Sequence, residues 1–149
     1  MRVWLTWHVA LSQVATGEKD AAGAARLAAV ACGDGSVALL LLDAPATPRA
    51  RTAWALGRSA GGHSACAAHA AFPAFAAGAP LLLSAGNDGR ALLWDWGAYV
   101  AGDAAAPRVA AEAAHGAKVN WAATAAAPGP RLFLADTSRQ LAVYDVRLG

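Results

Sequence analysis

The chain of 149 residues is poor in the features that mark secreted, membrane-spanning or strongly charged proteins. Its two cysteines, Cys32 and Cys66, cannot build the disulfide framework of a small secreted domain. A reducing compartment, cytoplasm or nucleus, is therefore expected. Charged residues make up only 15% of the chain, with 12 basic against 10 acidic side chains and a net charge of +2. That balance offers neither a nucleic-acid surface nor an acidic tail. Arg49, Arg51 and Arg58 come nearest to a basic cluster, and a solvated loop accounts for them. The longest strongly apolar run, 37–42, is far shorter than the roughly 20 residues of a membrane helix. The opening Met1-Arg2-Val3-Trp4-Leu5-Thr6-Trp7-His8 lacks the apolar core and cleavage site of a secretory signal. Alanine is abundant, but away from a core it says little about helix, so helix propensity carries no weight here.

What is present is a repeat. Leu81-Leu82-Leu83-Ser84-Ala85-Gly86-Asn87-Asp88-Gly89-Arg90-Ala91-Leu92-Leu93-Trp94-Asp95 reads as a strand, a tight Asn-Asp-Gly turn and a second strand. Residues 26–40 overlay it with Asp34-Gly35 on Asp88-Gly89, and residues 130–145 overlay it with Tyr144-Asp145 on Trp94-Asp95. A histidine precedes each copy: His8, His63 and His115. Each unit reads as short strands. In the second unit these are predicted over 65–72, 80–85, 90–94 and 108–113, and the first unit is expected to end on a strand over 51–56 carrying Trp54. Segments 16–25 and 97–107, rich in Gly, Ala and Asp, read as loop insertions. They stretch the repeat beyond the usual period of about 40–45 residues.

These residues resemble the WD40 repeat family: strand, Asn-Asp-Gly turn, strand, Trp94-Asp95, with Gly62-His63 upstream. The resemblance implies an all-β fold, a partial WD40 β-propeller of about three four-stranded blades over 1–57, 58–113 and 114–149. It also implies the hydrogen-bond set that stiffens such a blade, with His63 bridging Ser84 and Asp88 while Ser84 meets the indole of Trp94. The first unit keeps His8 and Asp34 but has Val30 and Leu40 at the other two places. The third keeps His115 and Tyr144, with Leu134 and Ser138 where Ser and Asp would stand. Within the family, His115-Gly116-Ala117-Lys118-Val119-Asn120-Trp121 is similar to the start of a last blade, so the chain matches the C-terminal three blades of a longer member. Radial closure takes about 4–8 blades. The expectation is a fragment of a seven-bladed ring; the alternative is assembly with another copy.

The same resemblance assigns a partner. Tyr144-Asp145-Val146-Arg147 resembles the box by which WD40 receptors dock on the damage-specific DNA-binding adaptor of cullin-4 ubiquitin ligases. It makes Asp145 and Arg147 the candidate docking residues, although Ser138 stands where an acidic turn residue is usual. A solvated arginine after a strand is the plainer reading.

Other constellations carry less. His63, Cys66 and His69 have a spacing that invites a metal, yet strand alternation sets Cys66 and His69 on opposite faces and no fourth ligand is near in sequence. No metal or other cofactor is expected. Ser84, His63 and Asp88 form a catalytic set on paper only, because no strained turn presents the serine. Gly33-Asp34-Gly35 is a hairpin turn and not a phosphate loop, since no helix follows. Trp7, Trp54 and Trp121 either anchor a partner or pack between blades, and Lys118 and Asn120 face a rim or a channel. The function expected is a non-catalytic protein–protein interaction scaffold, with a cullin-4 substrate receptor as its specific form. A generic assembly scaffold is the first alternative, and a propeller enzyme, which would need convergent polar groups around a pocket, is the second.

Overall fold

The computed structural model describes residues 5–13, 26–42, 50–56, 61–76, 79–100 and 103–147. They form eleven strands in three antiparallel sheets. The first sheet runs in chain order through β1 (Leu5–Gln13), β2 (Arg26–Cys32), β3 (Val37–Leu42) and β4 (Ala50–Leu56). The second does the same through β5 (Ala67–Ala71), β6 (Leu81–Gly86), β7 (Arg90–Asp95) and β8 (Arg108–Ala114). The third has β9 (Val119–Ala125), β10 (Arg131–Asp136) and β11 (Leu141–Asp145). Among the described residues the third sheet has three strands, with β11 at its edge. The fold class is all-β, and no helix among the described residues is long and apolar enough to cross a membrane. Loop 16–25, Arg49, Arg58 and the side chains of Trp7, His8, Arg51 and Trp54 lie outside the described residues.

Segment 97–107, expected as loop throughout, begins with one helical turn at Gly97–Val100. The cause is local: the Asp95 carboxylate accepts the Gly97 N–H at 2.9 Å, as an N-cap does.

The middle sheet explains the unbroken apolar runs in its strands, because both of its faces are covered. Leu82, Leu92 and Trp94 turn toward the first sheet and meet Ala29, Ala31, Val37 and Leu39. Leu83, Ala85, Ala91 and Leu93 turn the other way and meet Val119, Ala122, Leu132 and Leu134. Each large apolar side chain so buried contributes roughly 1.5–3 kcal/mol. The mode of stacking repeats: β5 lies against β1 and β2, and β9 lies against β5 and β6.

Backbone links repeat as well. The His63 N–H donates to the Gly35 carbonyl at 3.0 Å, and the His115 N–H donates to the Gly89 carbonyl at 2.7 Å. In both cases the loop ahead of one sheet sits on the β-turn of the sheet before it. Gly35 and Gly89 hold φ of +90° and +77°, a region that only glycine enters freely. A Cβ on Gly35 would stand 2.3 Å from the His63 oxygen and 2.6 Å from that of Ala65. On the third sheet the same turn position is Arg139, at φ +66°.

Candidate functional site

The residues singled out in the second repeat come together between its strands. Ser84 points into the first-to-second sheet interface from β6, Trp94 from β7, and Asp88 sits in the turn joining them. The Trp94 indole N–H donates to Ser84 Oγ at 2.8 Å. Ser84 Oγ lies 2.9 Å from His63 Nε2, and His63 Nδ1 lies 2.9 Å from Asp88 Oδ1. His63 and Ser84 are wholly buried, and Trp94 is 1% exposed.

The direction of each bond follows from what each group can do. An indole only donates, so Ser84 accepts from Trp94 and has its own proton free for His63 Nε2. The neutral imidazole then carries its proton on Nδ1 and donates it to Asp88. Burial holds the His63 ring below its ordinary pKa, outweighing the pull of the Asp88 carboxylate. Burial presses Asp88 upward. The bonds from His63, the Ser64 N–H at 2.9 Å and the Arg90 N–H at 3.2 Å outweigh it, leaving the carboxyl below its usual value.

Both shifts act in one direction. With its folded pKa depressed below 6.5, His63 takes up a proton more readily in the unfolded chain, so stability falls as pH drops below about 6.5. Asp88 adds a second loss below 3.8, where the unfolded carboxylate protonates first. A pH titration of the ring protons by NMR should find His63 still neutral at pH 6.5, while the urea midpoint declines from pH 7 to pH 5. A His63 signal titrating above its ordinary value would contradict this account.

The third repeat solves the same problem differently. Leu134 and Ser138 stand where the sequence alignment looks for serine and aspartate, but the group that meets His115 is Asp136. Its Oδ2 lies 2.7 Å from His115 Nε2, and Nδ1 of the same ring lies 2.8 Å from the Tyr144 hydroxyl. The ring is therefore turned end for end relative to His63. Position 136 corresponds to Gly86 of the second repeat, where an added Cβ would come within 2.6 Å of His63 Nδ1. Glycine leaves room for the ring in one sheet, and a carboxylate takes that room in the other. The Ser138 hydroxyl and then His115 hold Asp136 well below the ordinary carboxylate range. The carboxylate at 136, in place of a glycine, is the sequence signal for this arrangement. In the first repeat Asp34 closes its own turn by accepting from the Ser36 N–H and hydroxyl at 2.9 and 2.6 Å.

The docking candidates lie elsewhere. Asp145 ends β11 with its side chain 81% exposed, and the Arg131 Nε is 3.4 Å away. Arg147 is exposed. Both stand at the mouth of a cleft of about 390 Å³ between the second and third sheets, over a floor that includes Leu83, Leu93, Leu132 and Tyr144. Glu112, also at the mouth, is held by Arg90 through two bonds of 2.7 and 2.8 Å. Arg147 has no ion-pair partner among the described residues, which leaves a cation beside an apolar floor.

His69 is 2% exposed and stacks at a tilt on Trp121, with ring centroids 4.6 Å apart. Trp121 is half exposed: one part of it packs against His69 of the second sheet and the rest faces solvent. Burial raises the Cys66 thiol above its ordinary pKa, which disfavours the reactive thiolate. Among the described residues no three His, Cys, Asp or Glu side chains are grouped to hold a metal ion. Lys118 and Asn120 are exposed. No protein-family model matches the chain, and no curated protein is found similar to it.

Proposed function

We propose that the chain is a set of three WD40-type propeller blades, related to the C-terminal blades of WD repeat-containing protein 53, and that it serves as a non-catalytic scaffold for other proteins. The observation that carries this reading is the fate of the Ser84–His63–Asp88 set. Ser84 is wholly buried, with its hydroxyl committed to Trp94 and His63, so the set stiffens a sheet and has no path to a substrate. The repeated sheet-on-sheet stacking supports the propeller form.

The specific form proposed is a substrate receptor that docks on the damage-specific DNA-binding adaptor of cullin-4 ligases through Arg147, with Asp145 beside it. A free guanidinium at the edge of an apolar cleft can form paired hydrogen bonds with a carboxylate or carbonyls of a partner. The receptor would hold its target close to the ligase and raise ubiquitination by proximity. Arg147→Glu should abolish capture by the purified adaptor while the circular-dichroism spectrum stays unchanged. Capture indifferent to that change would leave the general scaffold, with the apolar cleft as its docking surface.

A further inference from the structure

The second and third sheets leave a hollow between them at the end away from Arg147. It measures about 370 Å³ and is lined by Cys66, Ala68, Asn87, Asn120 and Trp121. Register fixes its place. Asp136, at the end of β10, pairs with Val119 at the start of β9, whereas Arg131, at the other end, pairs with Ala125 and Asp145. Asn120 and Trp121 therefore stand at the opposite end of the third sheet from Asp145 and Arg147. A small residue keeps the hollow open. Ala68 follows His63 at the distance at which Asn120 follows His115, and offers only a methyl where Asn120 carries a carboxamide.

The lining decides what fits. None of these side chains carries a charge, since burial keeps the Cys66 thiol protonated. A charged group brought into the hollow would lose water without gaining a counter-ion. Asn87 is half-buried and Asn120 exposed, and neither carboxamide bonds to another of the described residues. A carboxamide both donates and accepts, as a peptide group does, so one Asn can hold a main-chain N–H and C=O together. The Trp121 indole is braced by His69, with ring centroids 4.6 Å apart, and keeps half of its surface free. A braced indole is the kind of surface on which an apolar side chain of a partner anchors.

We propose that this hollow takes the target of the receptor: an uncharged, extended peptide segment that seats one apolar side chain on Trp121 while Asn87 and Asn120 hold its main chain. The site, whose role rests on the receptor reading, gives the chain two working ends. The adaptor belongs at the end with the Arg147 cation and the target at the end without charge, so the two do not compete.

Selection of short random peptides, displayed on phage, against the purified 149-residue chain tests this. The peptides recovered should share an aromatic or branched aliphatic residue between uncharged neighbours. Titrated with the best of them, Trp121→Ala and Ala68→Phe should each weaken binding by about tenfold or more, the first by removing the anchor and the second by filling the hollow. Asn120→Ala should weaken it about threefold to tenfold. Asn120 is exposed, so that variant keeps its circular-dichroism spectrum even where Trp121→Ala, which gives up the stack on His69, does not. No peptide selected, a preference for acidic or basic peptides, or an affinity unmoved by both Asn120→Ala and Ala68→Phe would overturn the proposal. Arg147→Glu should leave peptide affinity unchanged, and an equal loss there would place the peptide elsewhere and overturn it too. Peptide binding without adaptor capture would remove the cullin-4 reading and keep this site, and capture without peptide binding would do the reverse.

Discussion

Asp88→Ala is expected to lower the unfolding free energy by about 3–5 kcal/mol, a drop of roughly 10 °C or more in melting temperature. Three donors lose their acceptor at once: the His63 Nδ1–H, the Ser64 N–H and the Arg90 N–H. His63 is wholly buried and the Asp88 side chain is only 4% exposed, so water cannot readily take the carboxylate's place. The damage then passes along the chain of bonds. Without its anchor the ring is free to turn, and the Ser84 hydroxyl loses the acceptor that fixes it under Trp94. Asp88→Asn tests whether geometry or charge matters more. Its amide oxygen can still accept from His63, so a loss of about 1–2 kcal/mol is expected. Thermal melts of the two variants beside the wild type decide the matter. An alanine variant melting within a degree or two of wild type would mean that the buried network contributes no net stability.

Gly35→Ala should cost about 3 kcal/mol or more, adding the penalty of a left-handed backbone to that of a forced contact. The new methyl would fall within 2.3 Å of the His63 carbonyl and 2.6 Å of that of Ala65, both backbone atoms with little freedom to retreat. Relief requires moving the loop that carries His63, which breaks its 3.0 Å bond to Gly35. The change should therefore loosen the first sheet from the second as well as lower the melting point. Gly116→Ala provides the control. Gly116 has a similar φ of +81° but nothing within 4 Å of the added atom, so only the backbone penalty of about 1 kcal/mol applies. Hydrogen exchange at β2 and β5 should rise in the Gly35 variant and stay near wild type in the Gly116 variant. Equal effects from both would show that close approach of the loop is not what position 35 demands.

The hairpins are legible in the sequence because their turns are. Asp34-Gly35 and Asn87-Asp88-Gly89 separate runs too short and too β-rich for helices, and the strands fall within two residues of where those signals put them. The second-sheet set is legible through the resemblance to the WD40 repeat, which implies that His63, Ser84, Asp88 and Trp94 meet, and a buried histidine, serine and indole each need such a partner. The helical turn after Asp95 is less legible, because it depends on a single capping carboxylate in a segment that otherwise reads as loop. The arrangement around His115 escapes an alignment that seeks its partners at 134 and 138. The choice of Asp136 depends on whether a side chain or empty space stands at the end of β10.

The sequence by itself determines an all-β chain with three hairpin repeats, each preceded by a histidine, and names the four groups that meet inside the second repeat. Strand periodicity and turn chemistry are local, so a single chain reports them without knowing its neighbours. Tertiary structure decides the rest. It assigns Leu82, Leu92 and Trp94 to one neighbour and Leu83 and Leu93 to the other, a choice hidden in an unbroken apolar run. It brings Asp145 and Arg147 to one cleft and leaves Leu141 and Val143 of β11 exposed. Those outcomes depend on which sheet covers which face, and that is fixed by close packing between segments far apart in the chain.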